Sequence, residues 1–147
     1  MSIKVDIPFD QNVDAAVAQI KHEMERRSWL VANELRNSAL EVLRGDRSGR
    51  VYTVPATRRK YTASAPGEPP AMRTGTFRRS WQPTALVESN SYISRIESDI
   101  QTEGKRKYNL GTVLEEGTSR MAPRPFHDRI IQHAEPQIKR IYSEPYF

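Results

Sequence analysis

Two adjacent carboxylates, Glu115 and Glu116, run into Gly117 and Thr118 within the stretch LEEGTSRMAPRPF, residues 114–126. Paired carboxylates beside a glycine turn are a known arrangement for general acid–base work. Adjacency argues against it here, because neighbouring side chains diverge by about 100° on a helix and face opposite ways on a strand. Metal ligation fares no better. The three histidines are His22, His127 and His133, and there is no cysteine. His127 and His133 stand six residues apart, about 600° of helical rotation, and so point to different sides. No HExxH, P-loop, GxGxxG or GxSxG pattern occurs. The expectation is a protein without catalytic residues, metal or cofactor.

Cations interleaved with aromatics offer a second chemistry. Arg58-Arg59-Lys60-Tyr61 and Phe77-Arg78-Arg79-Ser80-Trp81 suit phosphate contacts and base stacking. No zinc-finger, RNP or helix-turn-helix signature accompanies them. A basic module that contacts DNA without reading sequence is therefore the alternative function. The charge itself is local. Residues 46–81 hold eight Lys or Arg against Asp46 and Glu68, whereas the whole chain of 147 residues carries only +5. An anion or an acidic protein surface would meet the chain there.

The elements that position these residues fall into four parts of one expected domain. Val13, Val17, Ile20, Met24, Val31, Leu35 and Val42 recur at helical steps, with Arg27 and Ser38 in the missing places. They predict one long helix over 10–45, with Asp10 as N-cap and Gly45 as the glycine past its end. Trp29, Leu30, Leu40 and Leu43 give it a second apolar face, for its own sheet or for a neighbouring subunit. Residues 46–81 hold four of the ten prolines and read as an extended basic arm. Within it RVYTV and KYTAS predict a hairpin around PATRR, and RTGTFRRSW starts a short helix with Thr74 as N-cap and Phe77 and Trp81 on one face. A connection this long is functional or becomes ordered on binding. Residues 84–102 alternate as strands about a turn at Glu88-Ser89-Asn90, followed by a basic turn, TEGKRK. In 108–143 a short helical turn stops at Gly117. A last helix follows, with Pro125 in its first turn and Pro136 expected to kink or split it.

Composition bounds the rest. Hydrophobic residues make up 37% and charged residues 28%, with a mean hydropathy of −0.72. That is polar for a domain that buries its surface alone. The longest apolar runs are four residues, such as Trp29–Ala32, far below the roughly 20 of a membrane helix. MSIKVDIPFDQN lacks the apolar core of a secretory signal, so the expectation is a soluble protein made in the cytoplasm.

Two segments in order, SAPGEPPAMRTGTFRRSW (64–81) and YNLGTVLEEGTSRMAPRPF (108–126), resemble the small neck proteins of tailed bacteriophages, the head–tail joining or tail-completion proteins of long-tailed phages. Thr74, Gly75, Phe77 and Ser80 match the first family motif, with Phe77 in the usual leucine place. Tyr108, Leu114, Glu115, Gly117, Thr118, Met121, Arg124, Pro125 and Phe126 match the second. Glu116 departs from the pattern, which carries an aromatic there. With the first helix the resemblance covers nearly the whole chain. It implies an α+β fold in which a long helix packs on an antiparallel sheet, with an extended arm and a C-terminal helix. It also implies a non-enzymatic virion component at the head–tail junction, synthesised in the host cytoplasm and assembled as a ring of its own copies. The implied partners are the head-side connector or stopper and the tail-side terminator or tube proteins, with incidental contact with genome DNA and none with membrane. Candidate interface residues are then Arg58, Arg59, Lys60, Arg78, Arg79, Glu115, Glu116 and Arg124. Thr74, Gly75, Phe77, Gly117, Thr118, Pro125 and Phe126 form the structural motif, and Glu115 is expected to pair with Arg124 or with an arginine of a neighbour's arm.

Overall fold

The computed structural model describes residues 1–4 and 9–147, with side chains of the first helix from Asn12 onward. The fold is α+β. Helix α1 spans Phe9–Val42, and the hairpin strands β1 (Val51–Thr53) and β2 (Lys60–Thr62) follow it. After the single-turn helix α2 (Thr76–Arg79) come β3 (Gln82–Glu88) and β4 (Ser91–Glu97), then α3 (Leu110–Glu116) and α4 (His127–Ser143). Each strand pair forms its own two-stranded antiparallel sheet, and α1 packs on β3, β4 and α4.

The stripe on α1 divides in two. In its second half Val31 and Ser38 are buried and Leu35 and Val42 half-buried, with Ala32, Ala39 and, just past the helix, Leu43 of the second face completing the buried side. In its first half Val13, Val17 and Ile20 are 40%, 44% and 39% exposed. Trp29 and Leu30, on the second face, are exposed as well. Asp10 as N-cap rests on a side chain outside the described residues. Gly45 does not take the left-handed conformation expected of it. Instead Arg44 N–H donates to Glu41 O at 3.1 Å, tightening the last turn, and the Arg47 guanidinium donates to Val42 O at 2.9 Å. A side chain thus satisfies a terminal carbonyl that a glycine cap would otherwise serve.

β3 begins two residues before the expected start and includes Pro83, which an edge strand tolerates because its outward side needs no donor. Pairing runs from Gln82↔Glu97 to Glu88↔Ser91, so Glu88 belongs to the strand and the turn is Ser89-Asn90 alone. Ser89 takes a φ of 52° there. β4 stops at Glu97, short of the expected run to Ile100. Beyond it Gln101 bridges to Asn109 across the basic turn. α4 is continuous through Pro136. The proline and Gln132, whose carbonyl loses its helical partner, are both exposed, so the vacated acceptor lies open to solvent and the helix does not split.

Ala39, Leu43, Phe126 and Ile130 form the buried centre, flanked by Val42, Phe77, Trp81, Ile96 and Leu114. Phe77, Trp81 and Phe126 meet edge to face, with centroids 5.6, 5.7 and 5.8 Å apart. That geometry adds roughly 0.5–1.5 kcal/mol per pair beyond area burial. The i, i+4 pair read in the sequence is therefore one side of a three-ring core.

Candidate functional site

The segment between α3 and α4 is built as a joint. Asn109 caps α3 by accepting from Thr112 N–H at 3.1 Å, and Gly117 ends it with φ 76°. A Cβ at Gly117 would lie 2.7 Å from Met121 O and 2.8 Å from Pro123 N, so both conformation and space require glycine there. Thr118 closes the next turn, its Oγ1 accepting from Arg120 and Met121 N–H at 3.2 and 3.1 Å.

Glu115 does not pair with Arg124. Its Oε2 accepts from Phe126 N–H at 2.8 Å and His127 N–H at 3.1 Å, capping the start of α4 from the preceding helix. A carboxylate at a helix N-terminus satisfies free donors and faces the positive end of the dipole. Arg124 is held by backbone: its N–H donates to Leu114 O at 2.7 Å and its guanidinium to Ala122 O at 3.2 Å. Phe126 is the N-cap residue and is 4% exposed, which places Pro125 one position before the cap rather than in the first turn. Those first donors are the ones Glu115 takes up.

The first motif is likewise shifted by one residue. Gly75, buried and at φ 81°, occupies the N-cap position of α2. Thr74 accepts from Thr76 N–H at 3.4 Å, a turn contact before the helix rather than a cap on it. Arg78 reaches back to α1, donating to Leu40 O at 2.7 Å, so this cation serves the fold. Arg79 is exposed.

Arg58 and Arg59 lie in the exposed turn of the β1–β2 hairpin, and Lys60 opens β2. Arg59 donates to Arg73 O at 3.0 Å; Arg58 and Lys60 have no side-chain partner among the described residues. The hairpin is anchored at its base. Arg47 donates to Pro69 O at 2.7 Å and Pro70 O at 3.0 Å, tying APGEPPA to the end of α1. Glu68 accepts from Ala65 N–H at 2.8 Å and Ser48 N–H at 3.0 Å, as well as from the Ser48 hydroxyl. The Ser48 hydroxyl first, then these two N–H groups, lower the Glu68 pKa to about 2.

Beside the joint opens a cleft of about 690 Å³, floored by Trp81, Gly111 and Phe126 and rimmed by Glu97, Asp99 and Glu116. Glu115 also lines it, and no Lys or Arg does. The indole N–H of Trp81 is the one buried side-chain polar atom without a partner among the described residues.

Arg27 went unrecognised in the sequence as anything but a gap in the stripe. It is fully buried, donating to Glu23 at 2.8 Å, Glu144 O at 2.7 Å and Pro145 O at 2.8 Å, with the Tyr146 ring 4.0 Å away. The clue was a cation at a core position, which requires several acceptors close by. No helix among the described residues is long and apolar enough to cross a membrane. Comparison of the chain with protein-family models, curated proteins and solved structures finds no match.

Proposed function

We propose that this chain is a structural subunit of a tailed-phage neck, a ring at the head–tail junction that joins the head connector to the tail or completes the tail. It works without catalysis or cofactor, and its partners are its own copies, the head-side connector or stopper and the tail-side terminator or tube. The observation that carries this reading is the resemblance of segments 64–81 and 108–126 to the neck proteins, together with how those segments meet. Gly67 N–H donates to Pro123 O at 3.2 Å, Arg129 donates to Gly67 O at 3.0 Å, and Phe77, Trp81 and Phe126 pack together. The two motifs form one rigid joint, and a charged hairpin leaves it toward solvent. A fixed platform carrying an exposed arm suits a subunit whose remaining surface is buried by neighbours.

The test is the mass of the purified chain by light scattering and its shape by electron microscopy, with a phage lacking the protein as a second measure. Closed rings, and separate heads and tails in the deficient phage, are expected. A second reading, a sequence-independent DNA-binding module, draws on the hairpin's stacked Tyr52 and Tyr61, 6.0 Å apart, beside free cations. A monomer whose DNA affinity falls steeply with salt would favour it and overturn the ring.

A further inference from the structure

The ring reading leaves open which surfaces of successive copies touch, and on that reading we propose that the β1–β2 hairpin turn of one copy seats in the carboxylate-rimmed cleft of the next. The occupant follows from charge. Three exposed cations, Arg58 and Arg59 in the turn and Lys60 opening β2, face outward at the hairpin end, and three exposed carboxylates, Glu97, Asp99 and Glu116, stand on the cleft rim. Three other acidic groups are already engaged within the chain. Glu115 caps α4, Glu23 holds Arg26 and Arg27, and Glu68 is enclosed by Ser48 and Ala65. On the rim, Glu97 meets only Arg95 at 3.2 Å, while Asp99 and Glu116 have no ion-pair partner among the described residues.

Shape and polarity agree with charge. The cleft floor is apolar at Trp81, Gly111 and Phe126. The hairpin turn leads with Pro55 and Ala56, both exposed, ahead of its cations. The other basic turn, at Lys105, Arg106 and Lys107, carries Glu103 among its cations. The hairpin does not fill its own chain's cleft: no residue of 50–62 lines it. Hairpin into cleft joins two different surfaces, a heterologous contact, and such contacts generate rings when the rotation closes.

Charge exchange tests the contact. One variant carries Arg58→Glu, Arg59→Glu and Lys60→Glu; a second carries Glu97→Lys, Asp99→Lys and Glu116→Lys; a third, the control, carries Lys105→Glu, Arg106→Glu and Lys107→Glu. Wild type and control should form rings of equal mass that loosen as salt rises. Each of the first two variants should need on the order of tenfold or more concentration to assemble, since attraction becomes repulsion at several pairs. Mixed in equal amounts they should recover the wild-type mass as alternating copies, which misfolded chains would not do. Intact rings from the hairpin variant, or no recovery from a mixture of two folded variants, would overturn this contact while leaving the ring in place. A wild-type chain that stays monomeric at every concentration would instead overturn the ring, and the contact with it.

Discussion

At the scale of single residues, burial separates the side chains that hold the fold from those left to solvent. Phe126 is enclosed by two other rings and by Ala39, Leu43 and Ile130. Phe126→Ala opens a cavity between α1, α2 and α4, and the expected loss is about 3–5 kcal/mol. Chemical denaturation of wild type and variant measures it, and an unchanged midpoint would mean the ring is not packed as described. Arg27 is the other decisive residue, because its guanidinium satisfies backbone carbonyls of residues 142, 144 and 145 at once. Arg27→Ala leaves those acceptors without donors, each costing about 1–3 kcal/mol if it stays dry. The expected response is release of the tail beyond Ser143, seen as faster proteolysis there and loss of Tyr146 from its place over the guanidinium. A tail equally protected in the variant would show that the clamp is dispensable.

The elements are held in place by charged side chains acting on backbone. Glu115 at the end of α3 fixes the start of α4, so Glu115→Ala should destabilise the chain by roughly 0.5–2 kcal/mol through loss of the cap. Hydrogen exchange should rise first in the opening turn of α4; protection unchanged there would remove Glu115 from this role. The hairpin base depends on Glu68 in a way that pH reveals. Its folded pKa, about 2, lies below its ordinary value of 4.5. Its stabilisation is therefore complete above pH 4.5 and is lost as pH falls toward 2. Glu23, lowered to about 2 by the Arg26 guanidinium and then that of Arg27, acts with the same sign. Glu68→Gln should melt below wild type at pH 7, and the gap should close between pH 4.5 and 2. A gap independent of pH would show that the carboxylate's charge is not what closes this knot.

For the whole molecule, the unspent surfaces are the telling ones. The first half of α1 presents Val13, Val17 and Ile20 beyond the body that covers its second half, and the hairpin presents its cations to solvent. On the proposed ring reading these are the surfaces that neighbouring copies would cover. On the proposed neck reading, complementation of a phage lacking the protein with Arg58→Glu, Arg59→Glu, Lys60→Glu should leave filled heads and finished tails unjoined. The variant itself should melt close to wild type, since exposed turn residues contribute little to the core. Infectious particles in normal number would show that the hairpin is not an assembly surface.

Local features of the chain were legible without the fold. The helical period from Val31 to Val42, the two strand pairs, the stop at Gly117 and the Phe77–Trp81 pair all depend on backbone geometry and side-chain spacing over a few residues. These act wherever the segment ends up. Partnerships of polar groups were not legible. Glu115, expected to meet Arg124 or a neighbour's arginine, does not meet Arg124 but the N–H groups of Phe126 and His127; Arg27 looked like a gap and clamps a carbonyl 117 residues away. Gly45 was expected to end α1, yet the guanidinium of Arg47 does so while holding Pro69 and Pro70. The reason is physical. A long charged side chain reaches whichever unsatisfied group tertiary packing brings within hydrogen-bonding distance, and burial then makes that choice obligatory. Local spacing therefore determined which elements exist, and packing alone decided which charges lock them together and which remain exposed.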